Sequence, residues 1–304
     1  TQHRGGKGVR GMTTRDDDAL MDVVVVDTHD TLLFFTNRGR VYPLRVFQIA
    51  PDTSRTSRGT LLVNLIPLAA GEQIESILPT KNPKEGDLLV LATQLGEVKA
   101  LKEGALSNIQ QRGLIVMDLE PGDELVSVKQ LGDAEDVVMV SETGQSIRFP
   151  IRNLAPRSRT AGGVRGMRLR EGDKVVAMIT VSSENSLLVV SERGYGKATP
   201  LSMYPTQSRG GLGVRTFKVT DKTGRVAAAR VVSESEGYEV FIISAMAQVV
   251  RINLEDVRIT GRNTQGVIVW RDRDPDDYVA SIACFQENDY TEDTPAPTPE
   301  ESKE

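Results

Sequence analysis

Apolar runs of four to seven residues, rich in Val, Ile and Leu, alternate along this chain with polar turns that usually carry glycine. Runs at 31–36 and 41–46 flank Asn37-Arg38-Gly39-Arg40, and two such runs about a short glycine turn predict a β-hairpin. The pattern returns at 88–93 with 98–101 around Gly96, at 137–140 with 146–149 around Gly144, and at 187–190 with 197–201 around Gly194. A last copy, 240–243 with 249–254, turns at Ala247 and so needs a different or relaxed turn. Further strand pairs follow the hairpins: 60–66 with 73–78, 114–119 with 124–131, 164–169 with 174–181, 213–219 with 225–232, and 267–271 with 279–285. Each unit then holds about four strands, the size of a propeller blade, and units of that kind bury their faces by stacking around an axis.

A glycine-rich basic segment keeps time with the hairpins. It opens the chain as Gln2-His3-Arg4-Gly5-Gly6-Lys7-Gly8 and returns, weakened, at Arg58-Gly59, at Arg112-Gly113 and at Ala161-Gly162-Gly163-Val164-Arg165-Gly166. Arg209-Gly210-Gly211-Leu212-Gly213-Val214 and Arg262-Asn263-Thr264-Gln265-Gly266-Val267 complete six copies. Steps of 54, 54, 49 and 48 residues between first glycines, and 53 from Arg209 to Arg262, mark an array of similar units. Six copies against five hairpins predict a six-bladed ring whose remaining hairpin lies before Thr1.

Composition narrows the class. With 39% hydrophobic residues and 5% aromatics, the 304-residue chain can fill a core made of many short strands. No apolar run approaches the ~18 residues of a membrane span and no basic-hydrophobic leader opens the chain, so no membrane partner is expected. One cysteine, Cys284, excludes an internal disulfide and fits a reducing, cytoplasmic setting. The net charge of −5 is unevenly placed: residues 271–304 carry −8, leaving 34 bases against 31 acids, +3, in residues 1–270. Residues 1–285 are expected to form one repeat domain. Residues 286–304, acidic with prolines at 295, 297 and 299, are expected to be a disordered tail, either solubilising or competing for a basic surface.

Catalytic patterns fail one by one. Gly6-x-Gly8-x-x-Gly11 lacks the strand before and helix after that a dinucleotide fingerprint needs, and no Gly-Lys-Ser or Gly-Lys-Thr supplies a P-loop. Asp272-x-Asp274-x-Asp276 starts like a calcium loop, but Asp277 stands where that loop needs glycine and Ala283 where it needs glutamate. His29 falls in a Thr-His-Asp turn and reads as a solvent-exposed histidine, and His3, His29 and Cys284 make no clustered metal site. No catalytic residue, metal site or cofactor is expected in this domain. What remains periodic is cationic. Arg38, Arg40, Arg45, Lys99, Lys102, Arg148, Arg152, Arg193, Lys197 and Arg251 mark the hairpins, and Arg55, Arg58, Arg112, Arg157, Arg159, Arg209, Arg258 and Arg262 mark the loops after them. On a ring, cations at equivalent positions line one circumference, which suits the phosphates of double-stranded DNA bent around it.

The opening Gln2-His3-Arg4-Gly5-Gly6-Lys7-Gly8 resembles the box of the C-terminal domain family of DNA gyrase A, Gln-Arg-Arg-Gly-Gly-Lys-Gly, with His3 in place of an arginine. Arg38-Gly39-Arg40-Val41-Tyr42, Gly194-Tyr195-Gly196-Lys197 and Gly261-Arg262-Asn263-Thr264-Gln265-Gly266-Val267 are similar to the same family, over residues 1 to about 285. The resemblance implies an all-β, six-bladed β-pinwheel that wraps DNA around its rim with right-handed chirality, an intact box being what separates gyrase from the related topoisomerase IV protein. It implies that Gln2 through Gly8 complete the wrap and that the rim cations hold phosphate. It places strand breakage in the N-terminal part of gyrase A, ATP hydrolysis in gyrase B, and ATP and Mg with the whole enzyme. The readings weighed against DNA wrapping are a propeller-like protein-interaction scaffold and, more remotely, an enzyme with a central-channel site.

Overall fold

The computed structural model describes residues 9–10, 24, 26–49, 60–81, 88–132, 134–181, 185–233, 238–246, 248–271 and 273–286. These residues hold five antiparallel sheets of four strands each, so the expected six blades are corrected to five. Each blade is built on one hairpin, and the hairpins fall where the apolar runs place them. They are Thr31–Thr36 with Arg40–Arg45, Leu88–Thr93 with Glu97–Lys102, Asp136–Ser141 with Gln145–Pro150, Ser186–Ser191 with Tyr195–Pro200, and Tyr238–Ser244 with Gln248–Asn253.

The first strand of each hairpin pairs with a long strand that follows it: Ile74–Thr80, Leu125–Gln130, Val175–Val181, Val226–Val232 or Val279–Gln286. All five of these pairings shift register near the turn end of the hairpin, a bulge that adds twist at the same place in every blade. The fourth strand is borrowed. In the first four blades the second hairpin strand pairs with a two-residue strand that lies beyond the next hairpin: Leu114–Ile115, Val164–Arg165, Val214–Arg215 and Val267–Ile268. In the fifth blade the partner is Val9–Arg10, set against Val249 and Gln248. Val9–Arg10, after the opening basic copy, therefore completes the fifth sheet, and the copy with no ladder strand among the described residues is Arg58-Gly59, so six copies serve five blades.

The borrowed strands also correct the expected four-strand unit. The runs at 114–119, 164–169, 213–219 and 267–271 shorten to two ladder residues each, and 60–66 becomes a 3-10 turn at Leu62–Asn64. The residues just after each short strand bond elsewhere. Val116 and Met117 donate their N–H groups to the Gly39 carbonyl, Gly166 and Met167 to Gly96, Thr216 and Phe217 to Gly144, and Val269 and Trp270 to Gly194. That fit requires a turn residue with positive φ and no side chain. Gly144 has φ +82°, and a Cβ there would lie 2.3 Å from the Phe217 carbonyl oxygen. Ala247, at the fifth turn, lies outside the described residues.

The hairpin strands at 31–36, 136–141 and 186–191 are buried along their whole length. Neighbouring blades cover both faces of the latter two, while the first packs one face on the second blade and the other on its own segment 62–68. The core is consequently shared between blades: Leu33, Leu89, Leu101 and Met117 pack across the first and second, and Val140, Leu187, Phe217 and Ala229 across the third and fourth. The long strands stand innermost, each against the next from Ile74–Thr80 to Val279–Gln286, and residues of all five line an axial cavity of about 330 Å³. Glu75 faces that cavity half-buried, and burial together with the nearby Glu124 carboxylate pushes its pKa up to about 7. A raised carboxyl pKa favours the folded state while the proton is on and costs stability as pH rises from 4.5 through 7. Glu75→Gln will therefore stabilise the fold by roughly 1 kcal/mol at pH 8, after discounting for solvent in the channel, and by much less at pH 5, read from the urea midpoint. Equal gains at both values of pH would overturn this assignment.

Candidate nucleic-acid interface

The short strands form the outer edge of each sheet, and the loops leading into them drape over the neighbouring hairpin. Arg157 N–H donates to the Ala100 carbonyl at 2.9 Å, Gln207 to Arg148 at 2.8 Å, and Thr260 to Ala198 at 2.9 Å, three equivalent contacts on successive blades. The same loops then dock on the segment that leaves the preceding short strand. Gly210 N–H donates to the Gly166 carbonyl at 2.6 Å and Arg168 N–H to Gly211 at 2.8 Å; Asp118 N–H bonds Ala161 and Lys218 N–H bonds Thr264 at the corresponding seams. The repeated Arg-Gly segment is thus an inter-blade clasp. Its glycines serve that contact: a Cβ on Gly213, at φ +71°, would lie 2.1 Å from the Ser146 oxygen, and one on Gly266, at φ +74°, 2.3 Å from Gly196.

The expected phosphate-binding residues separate into groups. Gln2 to Gly8, Arg55 and Arg58 lie outside the described residues. Arg38, Arg45, Lys102, Arg112, Arg152, Arg157, Arg193 and Arg209 are exposed. Several of these are held in place by carbonyls. Arg157 Nη1 donates to Gly162 and Gly163 at 3.0 and 2.7 Å, Arg209 to Arg165 at 3.1 Å, Arg38 to Ala70 at 2.8 Å, and Arg193 to Asp221. Arg159 and Arg262 are half-buried in the same loops, and Arg159 donates to Ile115 at 3.1 Å. Arg40 lies over the Tyr42 ring, 5.6 Å from its centre, and donates to the Arg112 carbonyl at 3.0 Å.

Three expected contacts are committed inside the fold, and a fourth, Arg251, is exposed and ion-paired. Arg148 pairs with Asp136 at 2.6 Å and donates to the Leu201 carbonyl, and Arg251 pairs with Glu239. Lys99 and Lys197 are fully buried. Lys99 Nζ donates to the carbonyls of Val116, Arg159 and Ala161 at 2.7, 2.8 and 2.7 Å, and Lys197 Nζ to Gly261 and Arg262 at 2.7 and 2.6 Å. Alternation on a strand does not reveal which cation points outward once both faces of a blade are covered.

Other cations went unread. Arg165 and Arg215 end their short strands, Arg168 and Lys218 follow three residues later, and all four are exposed with no ion pair among the described residues. The seam contacts bring Arg165, Arg168 and Arg209 together between the second and third blades, and place Lys218 beside the Arg262 loop. The equivalent seam between the first and second blades carries Ile115 and Asp118 instead, so the outer edge is most cationic across the middle blades. The available signal was the matched pair Val164-Arg165-x-x-Arg168 and Val214-Arg215-x-x-Lys218, same register and same charge.

Buried acids have structural partners. Asp123, Asp173 and Asp277 each accept a hairpin-turn N–H through Oδ1, from Leu95 at 2.9 Å, Thr143 at 3.1 Å and Met246 at 3.1 Å. Asp277, read in sequence as the residue that spoils a calcium loop, is one of these turn caps. His29 is exposed in its turn, as expected. Among the described residues no group of three or more His, Cys, Asp or Glu is placed to hold a metal, and no helix is long and apolar enough to cross a membrane.

Five strand-exchanging blades about an axial cavity, with loops clasping successive sheets, define a propeller-type ring domain. A family model described as DNA gyrase C-terminal domain, beta-propeller, matches residues 1–27, 30–81, 87–131, 135–182, 185–233 and 238–286, and the chain belongs to that family. The first of the six matched segments is the one that lends Val9–Arg10 to the fifth sheet. The chain is 39% identical over 289 residues to the DNA gyrase A protein of Clostridium acetobutylicum, a match covering 95% of this chain and 34% of that protein. It is 44% identical over 283 residues to the DNA gyrase A protein of Halalkalibacterium halodurans, covering 93% and 34%. The chain therefore spans about a third of the length of these curated relatives. Among solved structures, a DNA gyrase A C-terminal domain superposes with TM-score 0.81 at 28% identity, covering 93% of this chain and 92% of that one. The C-terminal domain of a DNA topoisomerase IV shares the fold at TM-score 0.76 and 23% identity, covering 91% and 85%.

Proposed function

We propose that residues 1–285 bind duplex DNA along the outer edge of the ring and bend it there with right-handed chirality. The domain then serves a gyrase that introduces negative supercoils. The observation that carries this reading is the array of exposed cations at equivalent positions of successive blades, Arg165 with Arg215 and Arg168 with Lys218, flanked by Arg157 and Arg209 in the clasping loops. Phosphate contacts of this kind set position and not sequence, and many together offset the several kcal/mol that bending a short duplex costs. The box, Gln2 to Gly8, completes the wrap. Strand breakage in the N-terminal part of gyrase A, ATP hydrolysis in gyrase B, and the whole enzyme's ATP and Mg belong to the same proposal.

Plasmid topology tests it. Relaxed circular DNA incubated with the domain and then treated with a nicking-closing enzyme will show a positive linking-number change. That change will disappear when Arg4, Lys7 and the box glycines become alanine. Binding without any linking-number change would overturn chiral wrapping.

A further inference from the structure

The second and fourth blades bury a lysine at one register position, three residues beyond the turn glycines Gly96 and Gly194. The other blades carry Tyr42, Ile147 and Val250 there. An ammonium has three N–H groups, and Lys99 places all three on carbonyls. Those carbonyls come from two directions: Val116 leaves the first blade's short strand, while Arg159 and Ala161 belong to the loop draped over the second blade. Lys197 holds Gly261 and Arg262 of the equivalent loop on the fourth blade. Each ammonium lies directly beneath a loop that displays arginines, Arg157 with Arg159 and Arg258 with Arg262. In the third blade, where Ile147 replaces the lysine, the corresponding loop has no such anchor.

Charge makes this arrangement responsive. The charged groups facing Lys99 are Arg157 and Arg159 from the loop and Asp118 from the adjoining segment; Arg262 faces Lys197. Burial, aided by these guanidinium groups, pushes both lysines down to about 8. A phosphate settling on the loop arginines offsets their repulsion and favours the ammonium form.

We propose that Lys99 and Lys197 are positioning residues for phosphate: they fix two arginine-bearing loops from beneath without touching the ligand, and duplex binding draws protons onto them. This rests on the DNA-binding reading above. With both lysines pushed down to about 8, binding at pH 8 takes up protons, whereas at pH 6.5 both already carry theirs. Unfolding obeys the opposite sign: a depressed lysine pKa makes the charged form costly to bury, so fold stability from these groups rises with pH between about 8 and 10.5.

The test is titration calorimetry of the 304-residue chain with a linear duplex, at pH 8 and 6.5, in two buffers of different ionisation enthalpy. Acetylating the amino terminus beforehand removes an ordinary amine that titrates near pH 8. Proton uptake at pH 8, absent at pH 6.5 and lost in Lys99→Met/Lys197→Met together with about tenfold in affinity, supports the inference. Duplex binding by the acetylated wild-type chain with no uptake at pH 8 would overturn it, and needs no variant to fold. So would unchanged uptake and affinity in the folded double variant. Absence of duplex binding by the wild-type chain would instead remove the DNA reading itself.

Discussion

Gly213→Ala will destabilise the domain by about 3 kcal/mol, read as a fall in the urea midpoint. Two costs combine. The left-handed backbone at φ +71° costs an alanine roughly 1–2 kcal/mol relative to glycine. The added Cβ also meets the Ser146 carbonyl oxygen at 2.1 Å, and that atom belongs to a hairpin strand whose Ser146 pairs with Val214 in the third blade. Relief requires the short strand to lift away, exposing apolar surface around Phe217. Gly172 is the matched control. It has φ +74° with nothing within 4 Å of its Cβ position, so Gly172→Ala bears only the conformational cost, about 1–2 kcal/mol. Equal losses at the two sites would show that the clasp contact adds nothing.

Replacing Arg165, Arg168, Arg215 and Lys218 together by glutamine will flatten the dependence of log affinity for duplex DNA on log salt by about 3 to 4, at about 0.9 per phosphate contact removed. The four side chains are exposed and without an ion pair among the described residues, so the unfolding midpoint should move by no more than about 0.5 kcal/mol per site. The effect will hold across duplex sequences, because the lost contacts are to phosphate. A variant with the wild-type slope and weaker binding would place the phosphates elsewhere on the ring. Arg148 is the informative negative. Its guanidinium is occupied by Asp136 and the Leu201 carbonyl, so its removal should cost stability by leaving a buried carboxylate unpaired while leaving the salt slope intact.

Much of this was legible in the linear pattern. All five hairpins fall within about two residues of the apolar runs that announce them, since strand period and turn chemistry are local properties. The glycine turns at Gly39, Gly96, Gly144 and Gly194 are right for the same reason: each adopts a positive φ that glycine tolerates without strain. The family resemblance also held: the chain belongs to the DNA gyrase C-terminal domain family.

Sequence alone therefore determined the class of fold, the hairpin of every described blade and the period of the repeat, because each follows from residues near one another in the chain. Tertiary structure decided the rest. The fifth sheet is completed by Val9–Arg10, paired with Val249 and Gln248 more than two hundred residues away, and no local pattern encodes that partner. It likewise decided which cations face outward. Lys99 and Arg165 have similar apolar surroundings in sequence, yet one ammonium is enclosed by three carbonyls supplied by two other segments and one guanidinium stands exposed at a sheet edge. Burial is set by what a strand is packed against, and in this ring every blade is packed against strands and loops that belong to its neighbours.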